Sequence, residues 1–286
     1  MEIGLVDTSS DGAAVAFSRS MHDTGFAVLV NHGIDGALIR RVYDEWLDFF
    51  GSGAKHSYRA TGGSQDGYFP SLPEDRAAGR DIKEYFQIRP DGRYPNELSS
   101  AAQDYYEQAA ALAVRLLGWL DTTTPRPAVA HLPVPLAAML TGSTGSTLRV
   151  QHYLPIPPDE RPNPIRALAH TDLNLLTVLP SPTGPGLQVR DVRGEWHDVP
   201  CDSGAIIING GEMLELATRQ HYPATEHRVV NYDDALHRGS RMSLPLFLHP
   251  ASAVILAEGC TAADFLRRRV AELRAMGWRP VPGGDD

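Results

Sequence analysis

The chain has 286 residues, of which 42% are hydrophobic and 21% are charged, an ordinary composition for a soluble globular protein. A chain of this length buries roughly three quarters of its unfolded surface, so its core needs neither disulfides nor a structural metal. Its 26 lysines and arginines against 35 acidic residues give a net charge of −9. That balance argues against nucleic acid and anionic membrane surfaces as partners.

Cysteine usage and the N-terminus limit the cellular setting. Cys201 and Cys260 are too few for a disulfide framework, and neither a CxxC motif nor a Cys/His zinc spacing is present. The first residues carry no basic region and no long apolar run, so we expect no signal peptide. Without a stretch of about 18 apolar residues, no membrane span is predicted. We therefore expect a cytoplasmic protein and leave its oligomeric state open.

The N-terminal part of the chain is predicted to be mainly helical around one strand. Residues Phe26–Val30 form an apolar, β-branched run typical of a buried strand, and Asp35 is a good N-cap for the helix that follows. Further on, apolar side chains recur at helical spacing. The predicted elements are, in order, a helix over residues 12–24, a strand over 25–30, a turn over 31–33, a helix over 35–50, a loop over 51–67 and a long helix from 99 to about 120.

From about Ser146 the pattern changes to short runs separated by Pro, Gly, Asp or Asn. This spacing favours an antiparallel sandwich or barrel over βαβ units. Residues 191–194 are typical of a hairpin turn, and Thr261 with Asp264 has the spacing of a capping box at the start of a closing helix. The predicted strands cover residues 147–153, 173–179, 186–189, 195–199, 205–209, 227–231 and 241–248.

These elements predict a mainly β protein with flanking helices, folded as one domain over residues 1–286. Residues 1–120 form its N-terminal mixed helical region, 146–250 its jelly-roll core, and 261–277 its closing helix. The proline-rich stretch 122–135 is interpreted as a loop inside this domain, because neither half has a complete core alone.

One spacing within the strand-rich region predicts a metal site. Residues i and i+2 of a strand share a face, so His170 and Asp172 can bind one ion. A third ligand must come from a neighbouring strand, and His227 begins one. Two imidazoles and one carboxylate leave adjacent positions of the metal's coordination sphere open. This arrangement suits a non-haem Fe(II) site better than a structural zinc site, which is closed by a fourth protein ligand. His221 is the rival third ligand, but Pro223 beside it indicates a loop, so we favour His227.

A second i, i+2 pair predicts an anchor for a carboxylate. Arg241 offers a planar fork that pairs with a carboxylate, and the hydroxyl of Ser243 can complete the contact. They would hold the remote carboxylate of a diacid whose other end chelates the metal, and the phenol of Tyr153 can donate to it. Gln151 and Arg149 face the same way as Tyr153. Each motif alone is common and has a structural explanation, so the interpretation depends on their order within one strand-rich segment.

Several further motifs accompany these residues. They are Gly25–Ile34, Gly67–Pro70, Asp81–Phe86, Gly186–Val189, Ile207–Asn209, Glu226–Val230 and Arg241–Pro245. With the His-x-Asp motif at 170–172, they resemble the isopenicillin N synthase-like branch of the Fe(II)- and 2-oxoglutarate-dependent oxygenases over nearly the whole chain.

The resemblance implies a double-stranded β-helix, or distorted jelly roll, that binds Fe(II) with 2-oxoglutarate and O₂ as co-substrates. It places iron on His170, Asp172 and His227. The same resemblance places the C5 carboxylate of 2-oxoglutarate on Arg241 and Ser243, close to Tyr153. The implied reaction hydroxylates, desaturates or cyclises an unactivated C–H bond while 2-oxoglutarate becomes succinate and CO₂, with no catalytic side chain beyond the ligands. Because related halogenases replace the carboxylate ligand with a small residue, Asp172 argues against halogenation.

The substrate pocket is less well defined by the sequence. Tyr68 and Phe69 fall in a segment that covers the pocket mouth in the family, and Arg149, Gln151 and Phe247 are expected to face inward. An inward Arg149 suits an acidic or polar substrate, although a surface ion pair explains it equally well. We expect a small organic substrate, such as a specialised metabolite or an amino-acid derivative.

Two alternatives remain open at this point. An iron oxidase of the same fold that works without 2-oxoglutarate retains the Arg-x-Ser pair to hold another carboxylate. A non-catalytic jelly roll with a degenerate site is disfavoured, since all three ligands and the anchor are intact.

Overall fold

The computed structural model describes residues 1–61, 65–71, 83–156, 165–200, 202–231 and 239–276. Within these residues the chain forms three layers, with helices against one face of a large sheet and a smaller sheet against its other face. Some predictions fall on residues outside these ranges, namely Asp81, Ile82, Cys201 and the last residue of the helix predicted over 261–277.

The helices follow the capping and spacing signals of the sequence. The Asp35 side chain accepts a hydrogen bond from the Ala37 amide at 2.8 Å, and Thr261 and Asp264 form a capping box. The helices are α1 Ala13–Thr24, α2 Gly36–Gly51, α3 Ala101–Thr123, α4 Arg126–Val129, α5 Glu212–Ala217 and α6 Ala262–Ala275, with 3₁₀ turns at Ala54–Tyr58 and Ala137–Leu140.

The strands are shorter and more numerous than the sequence predicts. The single strand predicted over 241–248 is wrong, because Pro245 interrupts it and its carbonyl accepts a hydrogen bond from the Arg149 amide at 2.9 Å. The strands are β1 Gly4–Asp7, β2 Phe26–Val30, β3 Gly67–Phe69, β4 Lys83–Ile88, β5 Thr147–Tyr153, β6 Ile165–His170, β7 Leu176–Pro180, β8 Leu187–Arg190, β9 Trp196–Asp198, β10 Ile206–Gly210, β11 His227–Val230, β12 Arg241–Ser243, β13 Leu246–Leu248, β14 Ile255–Ala257 and β15 Cys260–Thr261.

Pairing of these strands produces the jelly roll. The large sheet has the order β1-β2-β10-β7-β13-β5-β4-β3, with β12 also paired to β5, and the small sheet has the order β6-β11-β8-β9. All of these pairs are antiparallel except β1 with β2. The predicted antiparallel, jelly-roll architecture is therefore confirmed.

Two apolar clusters hold the layers together. Trp46 of α2 and Leu116 of α3 are fully buried against large-sheet residues such as Phe86. Between the sheets, Val28 of the large sheet and Val189 of the small sheet belong to a second cluster. No helix within the described ranges is both long enough and apolar enough to cross a bilayer.

Candidate metal centre

The pairing of β6 with β11 brings two predicted ligands face to face. These strands run antiparallel, and His227, the first residue of β11, pairs directly with His170, the last residue of β6. Their rings lie 4.4 Å apart between centroids. Asp172 follows two residues after the end of β6 and turns back toward the pair. The chain thus brings its three predicted ligands together at one end of the small sheet.

The three side chains converge on a common centre. The Nε2 atoms of His170 and His227 each lie 3.8 Å from Oδ1 of Asp172. One ligand atom from each residue lies within 4.8 Å of the other two, which leaves room for a metal ion among them. Two imidazole nitrogens and one carboxylate oxygen are the donor set of the facial triad of non-haem Fe(II) oxygenases.

Backbone carbonyls orient both imidazoles. Nδ1 of His170 lies 2.8 Å from the Leu168 carbonyl oxygen, and Nδ1 of His227 lies 3.1 Å from that of Thr225. A carbonyl oxygen only accepts, so each Nδ1 carries the hydrogen and each Nε2 presents its lone pair to the centre. Partial desolvation and the neighbouring His227 lower the pKa of His170, so its imidazole is neutral at pH 7.

The second oxygen of the carboxylate ligand is already engaged. Oδ2 of Asp172 accepts hydrogen bonds from Oγ1 of Thr177 at 2.5 Å and from Nδ2 of Asn209 at 2.8 Å. Burial alone would raise the pKa of Asp172, but His227, His170 and these two hydrogen bonds hold it below its usual range. The carboxylate is therefore ionised, with Oδ1 directed to the centre.

The rival ligand His221 lies elsewhere. Its ring stacks on that of His22 at 4.4 Å, and its carbonyl oxygen is 2.8 Å from the Nδ1 of the same histidine. It does not belong to the group of converging ligand atoms.

The predicted carboxylate anchor is buried beside the sheet that carries Tyr153. Strand β12 pairs with β5 so that Arg241 lies opposite Tyr153 and Ser243 opposite Gln151. The guanidinium carbon of Arg241 is 5.1 Å from the Tyr153 ring centroid, and its Nε donates to the carbonyl of Gly184 at 3.0 Å. Nη1 of Arg241 is buried and has no hydrogen-bond partner among the described residues. A buried guanidinium with an unsatisfied donor fits a bound carboxylate.

The predicted pocket residues divide between two faces of the large sheet. Phe69 stacks on Tyr85 at 4.7 Å, and Tyr85 pairs with Gln151, on the face that carries Tyr153. The structure does not bring Tyr68 to this face. Because successive side chains of a strand alternate, Tyr68 points the other way, and its hydroxyl donates to Glu84 at 2.6 Å. The expectation that Tyr68 lines the pocket is therefore corrected.

Arg149 and Phe247 lie together on the Tyr153 face. The guanidinium of Arg149 lies 5.1 Å from the Phe247 ring centroid and 4.9 Å from that of Tyr85. Nε and Nη2 of Arg149 donate to Oε1 of Gln87 at 3.0 and 2.6 Å. The surface ion pair that we considered for Arg149 is absent from the described residues.

Sequence reasoning missed the residues that support the His-x-Asp segment. Glu212 accepts a hydrogen bond from Oγ1 of Thr171 at 2.6 Å, and its own amide donates to the Asp172 carbonyl at 2.8 Å. Arg269 of α6 pairs with Glu212 at 2.6 Å. A Cβ on Gly211 would lie 2.2 Å from the Asn174 carbonyl oxygen, so only glycine lets α5 approach this closely. Contacts of this kind join segments far apart in the chain and leave no local pattern in the sequence.

Comparisons with known proteins agree with this geometry. A model of the 2OG-Fe(II) oxygenase superfamily matches residues 145–250, and a model of the N-terminal region of the non-haem dioxygenase in morphine synthesis matches residues 3–108. The 2-oxoglutarate-dependent dioxygenase citB of Monascus ruber is 30% identical over 259 residues, covering 79% of this chain and 77% of citB. Gibberellin 2-beta-dioxygenase 4 of Arabidopsis thaliana is 29% identical, covering 87% and 80%.

Solved structures extend the likeness to the whole chain. An oxygenase-like protein from Shewanella oneidensis shares 43% identity with a TM-score of 0.89, covering 98% of this chain and 100% of its own. The structure of JOX2 in complex with 2OG, Fe and JA has the same fold, with a TM-score of 0.74 and 24% identity over 95% of this chain and 85% of JOX2.

Proposed function

The chain belongs to the 2OG-Fe(II) oxygenase superfamily, and from that premise we propose that His170, Asp172 and His227 are its iron ligands. The protein is a 2-oxoglutarate-dependent dioxygenase, an oxidoreductase that uses Fe(II) and acts on a small molecule. The observation that carries the ligand assignment is the convergence of the three ligand atoms within 4.8 Å, with the second carboxylate oxygen held by other side chains.

We further propose that Arg241, Ser243 and Tyr153 hold the C5 carboxylate of 2-oxoglutarate. The buried, unsatisfied Nη1 of Arg241 would donate to one carboxylate oxygen. Ser243 is buried on the same strand face and offers a second donor. When bound, Fe(II) with 2-oxoglutarate and O₂ supplies the oxidising power to break a C–H bond of the substrate, and 2-oxoglutarate leaves as succinate and CO₂.

The protein's part in this reaction is to bind and orient. The Leu168 and Thr225 carbonyls hold the two imidazoles in the tautomer that presents Nε2. No side chain is required as an acid or base, so we assign no catalytic residue beyond the ligands. Because Asp172 fills the carboxylate position, hydroxylation, desaturation or ring closure is favoured over halogenation. A substrate from specialised metabolism fits the fungal and plant relatives.

We also propose that residues 1–286 act as one oxygenase domain. The large apolar cluster takes side chains from the N-terminal helices, from the large sheet and from α6, so these regions share one core. A cytoplasmic location and the lack of nucleic-acid or membrane partners stay predictions of the sequence.

Two measurements test the proposed function. Under nitrogen, Fe(II) should titrate to one equivalent, and 2-oxoglutarate should then bind only to the iron-loaded protein. In air, candidate substrates should be consumed with one succinate released for each product. Oxidation of a substrate without succinate would favour the 2-oxoglutarate-independent oxidase. A lack of stoichiometric iron binding would leave only a non-catalytic jelly roll.

A further inference from the structure

We propose that Arg149 is the anchor for an anionic group of the primary substrate, so that this enzyme oxidises a small organic molecule bearing a carboxylate. This inference rests on the proposed function, because it assigns the substrate class of the same site. It concerns a second cation, separate from Arg241, which we assign to 2-oxoglutarate.

The surroundings of Arg149 fix its guanidinium in place. Its charged plane lies between the rings of Tyr85 and Phe247, with centroid distances of 4.9 and 5.1 Å. The side chain is half-buried, so it has lost part of its hydration. A guanidinium held this way loses little conformational entropy when it binds a ligand.

Gln87 fixes the direction in which Arg149 can donate. The side-chain amide of Gln87 gives its hydrogen to the Gln65 carbonyl at 2.6 Å, which turns Oε1 toward Arg149. That oxygen accepts from Nε and from Nη2 of Arg149. The edge formed by Nη1 and Nη2 has no acidic partner among the described residues. A planar pair of donors is the geometry that binds a carboxylate in bidentate fashion.

The anchor and the metal centre are linked through one cross-strand pair. Phe247 of β13, which contacts Arg149, pairs directly with Thr177 of β7. Thr177 in turn donates to Asp172. Directly paired residues of antiparallel strands lie on the same face, so Phe247 shares its face with a residue that touches the iron ligand. Arg149 is therefore connected to the proposed iron ligand Asp172 through Phe247 and Thr177.

Asp172 and Arg149 both act on the pKa of one partly buried histidine, His249. Burial lowers the pKa of His249 to about 4, while Asp172 acts in the opposite direction and Arg149 in the same one. Both charged groups are therefore within electrostatic reach of one imidazole. His249 lies two residues after Phe247 and, being neutral at pH 7, does not add to the charge of Arg149.

Two further cationic side chains, Arg89 and Lys83, lie near these residues. Arg89 also acts on His249, and the Nζ of Lys83 lies 5.8 Å from the Tyr153 ring centroid. The Tyr85 and Phe247 rings would contact the apolar part of the substrate.

The test compares acids with their neutral counterparts. The probes are benzoate, phenylacetate, 3-phenylpropionate, hexanoate and octanoate, each paired with its primary amide. Binding is measured by calorimetry under nitrogen on protein loaded with Fe(II) and 2-oxoglutarate, and stimulated succinate release is measured in air. We expect at least one acid to bind roughly ten- to hundred-fold more tightly than its amide, the range of a charge-assisted hydrogen bond.

Variants identify the residue responsible. Arg149→Met should remove the preference for the acid, and Arg149→Lys should retain part of it. Gln87→Glu, which changes the shape little, should also weaken acid binding because it supplies Arg149 with a carboxylate. The exposed Arg193 of the 191–194 turn provides a matched control, and Arg193→Met should leave the preference unchanged.

The outcomes separate this inference from the proposed function. If the loaded wild-type protein binds no acid more tightly than its amide, or if Arg149→Met keeps the preference, the anchor assignment is wrong while the oxygenase assignment stands. If Fe(II) and 2-oxoglutarate themselves fail to bind, it is the proposed function that fails. Binding of 2-oxoglutarate should be equal in wild type and Arg149→Met, which excludes misfolding as the cause of any loss.

Discussion

His170 and His227 face each other across the antiparallel pair of β6 and β11, and their Nε2 atoms lie at the same distance, 3.8 Å, from Oδ1 of Asp172. The two histidines are 57 positions apart in the chain, and strand register brings them together. The metal centre thus depends on a single registered pair, and shifting it by one residue would turn one imidazole to the other face.

Removing any one ligand should abolish iron binding without unfolding the protein. His170→Ala, Asp172→Ala and His227→Ala each leave two donors, while the two apolar clusters that hold the layers together do not involve these side chains. The measurements are anaerobic Fe(II) titration and far-UV circular dichroism. His221→Ala is the matched control and should bind iron normally, since its ring stacks on His22. Normal iron stoichiometry in any ligand variant would show that its assignment is mistaken.

The hydroxyl of Thr177 should contribute to iron affinity although it does not touch the metal. It donates to Oδ2 of Asp172 and accepts from Nδ2 of Asn174 at 2.9 Å. Thr177→Val keeps the shape but removes both contacts, so the Kd for Fe(II) should rise about 10- to 100-fold, as for other groups that orient metal ligands. Thr177→Ser retains the hydroxyl and should bind like wild type. Equal affinities in the two variants would argue that Asn209 alone orients the carboxylate.

The fold was predictable where periodicity was clear. Strand β5 has the predicted bounds, Thr147–Tyr153, because polar and apolar residues alternate over its first half. Strand β6, Ile165–His170, was missed because apolar residues stand next to one another within it and no period of two emerges. The strand predicted over 173–179 begins instead at Leu176, and Asn174 just before it donates to Oγ1 of Thr177 at 2.9 Å.

The site was predictable only in part, for a related reason. The spacing of His170 and Asp172 is a property of one strand end, so the sequence reveals it. Asn209 reaches Asp172 because β10 pairs with β7 and places Asn209 opposite Thr177. Such a contact depends on register between distant strands. Composition and local pattern contain no information about it, and the same holds for the contact between Thr171 and Glu212.

Glu212 should act as a positioning residue for the His-x-Asp segment. It accepts from Thr171 and pairs with Arg269, and it thereby ties α6 to the metal loop. Glu212→Gln weakens the pairing with Arg269, so iron should bind about tenfold more weakly. Turnover at saturating iron should change little, because the ligands themselves are intact.

Two arginines of α6 provide a second test variant and its control. Arg269→Met should reproduce the effect of Glu212→Gln, whereas Arg268→Met, at an exposed position one residue earlier, should not. The double variant with Glu212→Gln and Arg269→Met should bind iron only slightly more weakly than either single variant. Fully additive losses of iron affinity would contradict a shared role of Glu212 and Arg269.

The ion pair of Glu84 on the helix-facing side of the large sheet should make the free energy of unfolding depend on pH. Glu84 contacts Nζ of Lys55 at 2.9 Å, Nδ1 of His152 at 2.8 Å and the hydroxyl of Tyr68 at 2.6 Å. Burial alone would raise the pKa of Glu84, but these three partners hold it below its usual value of 4.5. A carboxyl whose pKa is lowered by folding stabilises the native state above its unfolded pKa, and this contribution declines as the pH falls through the folded value.

Glu84→Gln tests that dependence. At pH 7 the variant should lose about 3–5 kcal/mol of unfolding free energy, because a buried ammonium is left without its counter-charge. The difference in unfolding free energy between this variant and wild type should shrink as the pH falls below 4.5. Urea unfolding at a series of pH values gives the measurement, with Glu107→Gln on the exposed face of α3 as a neutral control. A pH-independent difference would mean that the loss reflects packing.

Arg241 should determine the requirement for 2-oxoglutarate, and Arg149 should determine that for the primary substrate. Arg241→Met removes the buried Nη1 donor, so the KM for 2-oxoglutarate should rise about 10- to 100-fold, the range for a hydrogen bond to a charged group. Iron affinity should stay unchanged, since Arg241 lies outside the ligand group. Arg241→Lys should recover only part of the loss, because a lysine cannot form the bidentate contact. If Arg241→Met leaves this KM unchanged while Arg149→Met raises it, the two carboxylate positions are exchanged and Arg149 anchors 2-oxoglutarate.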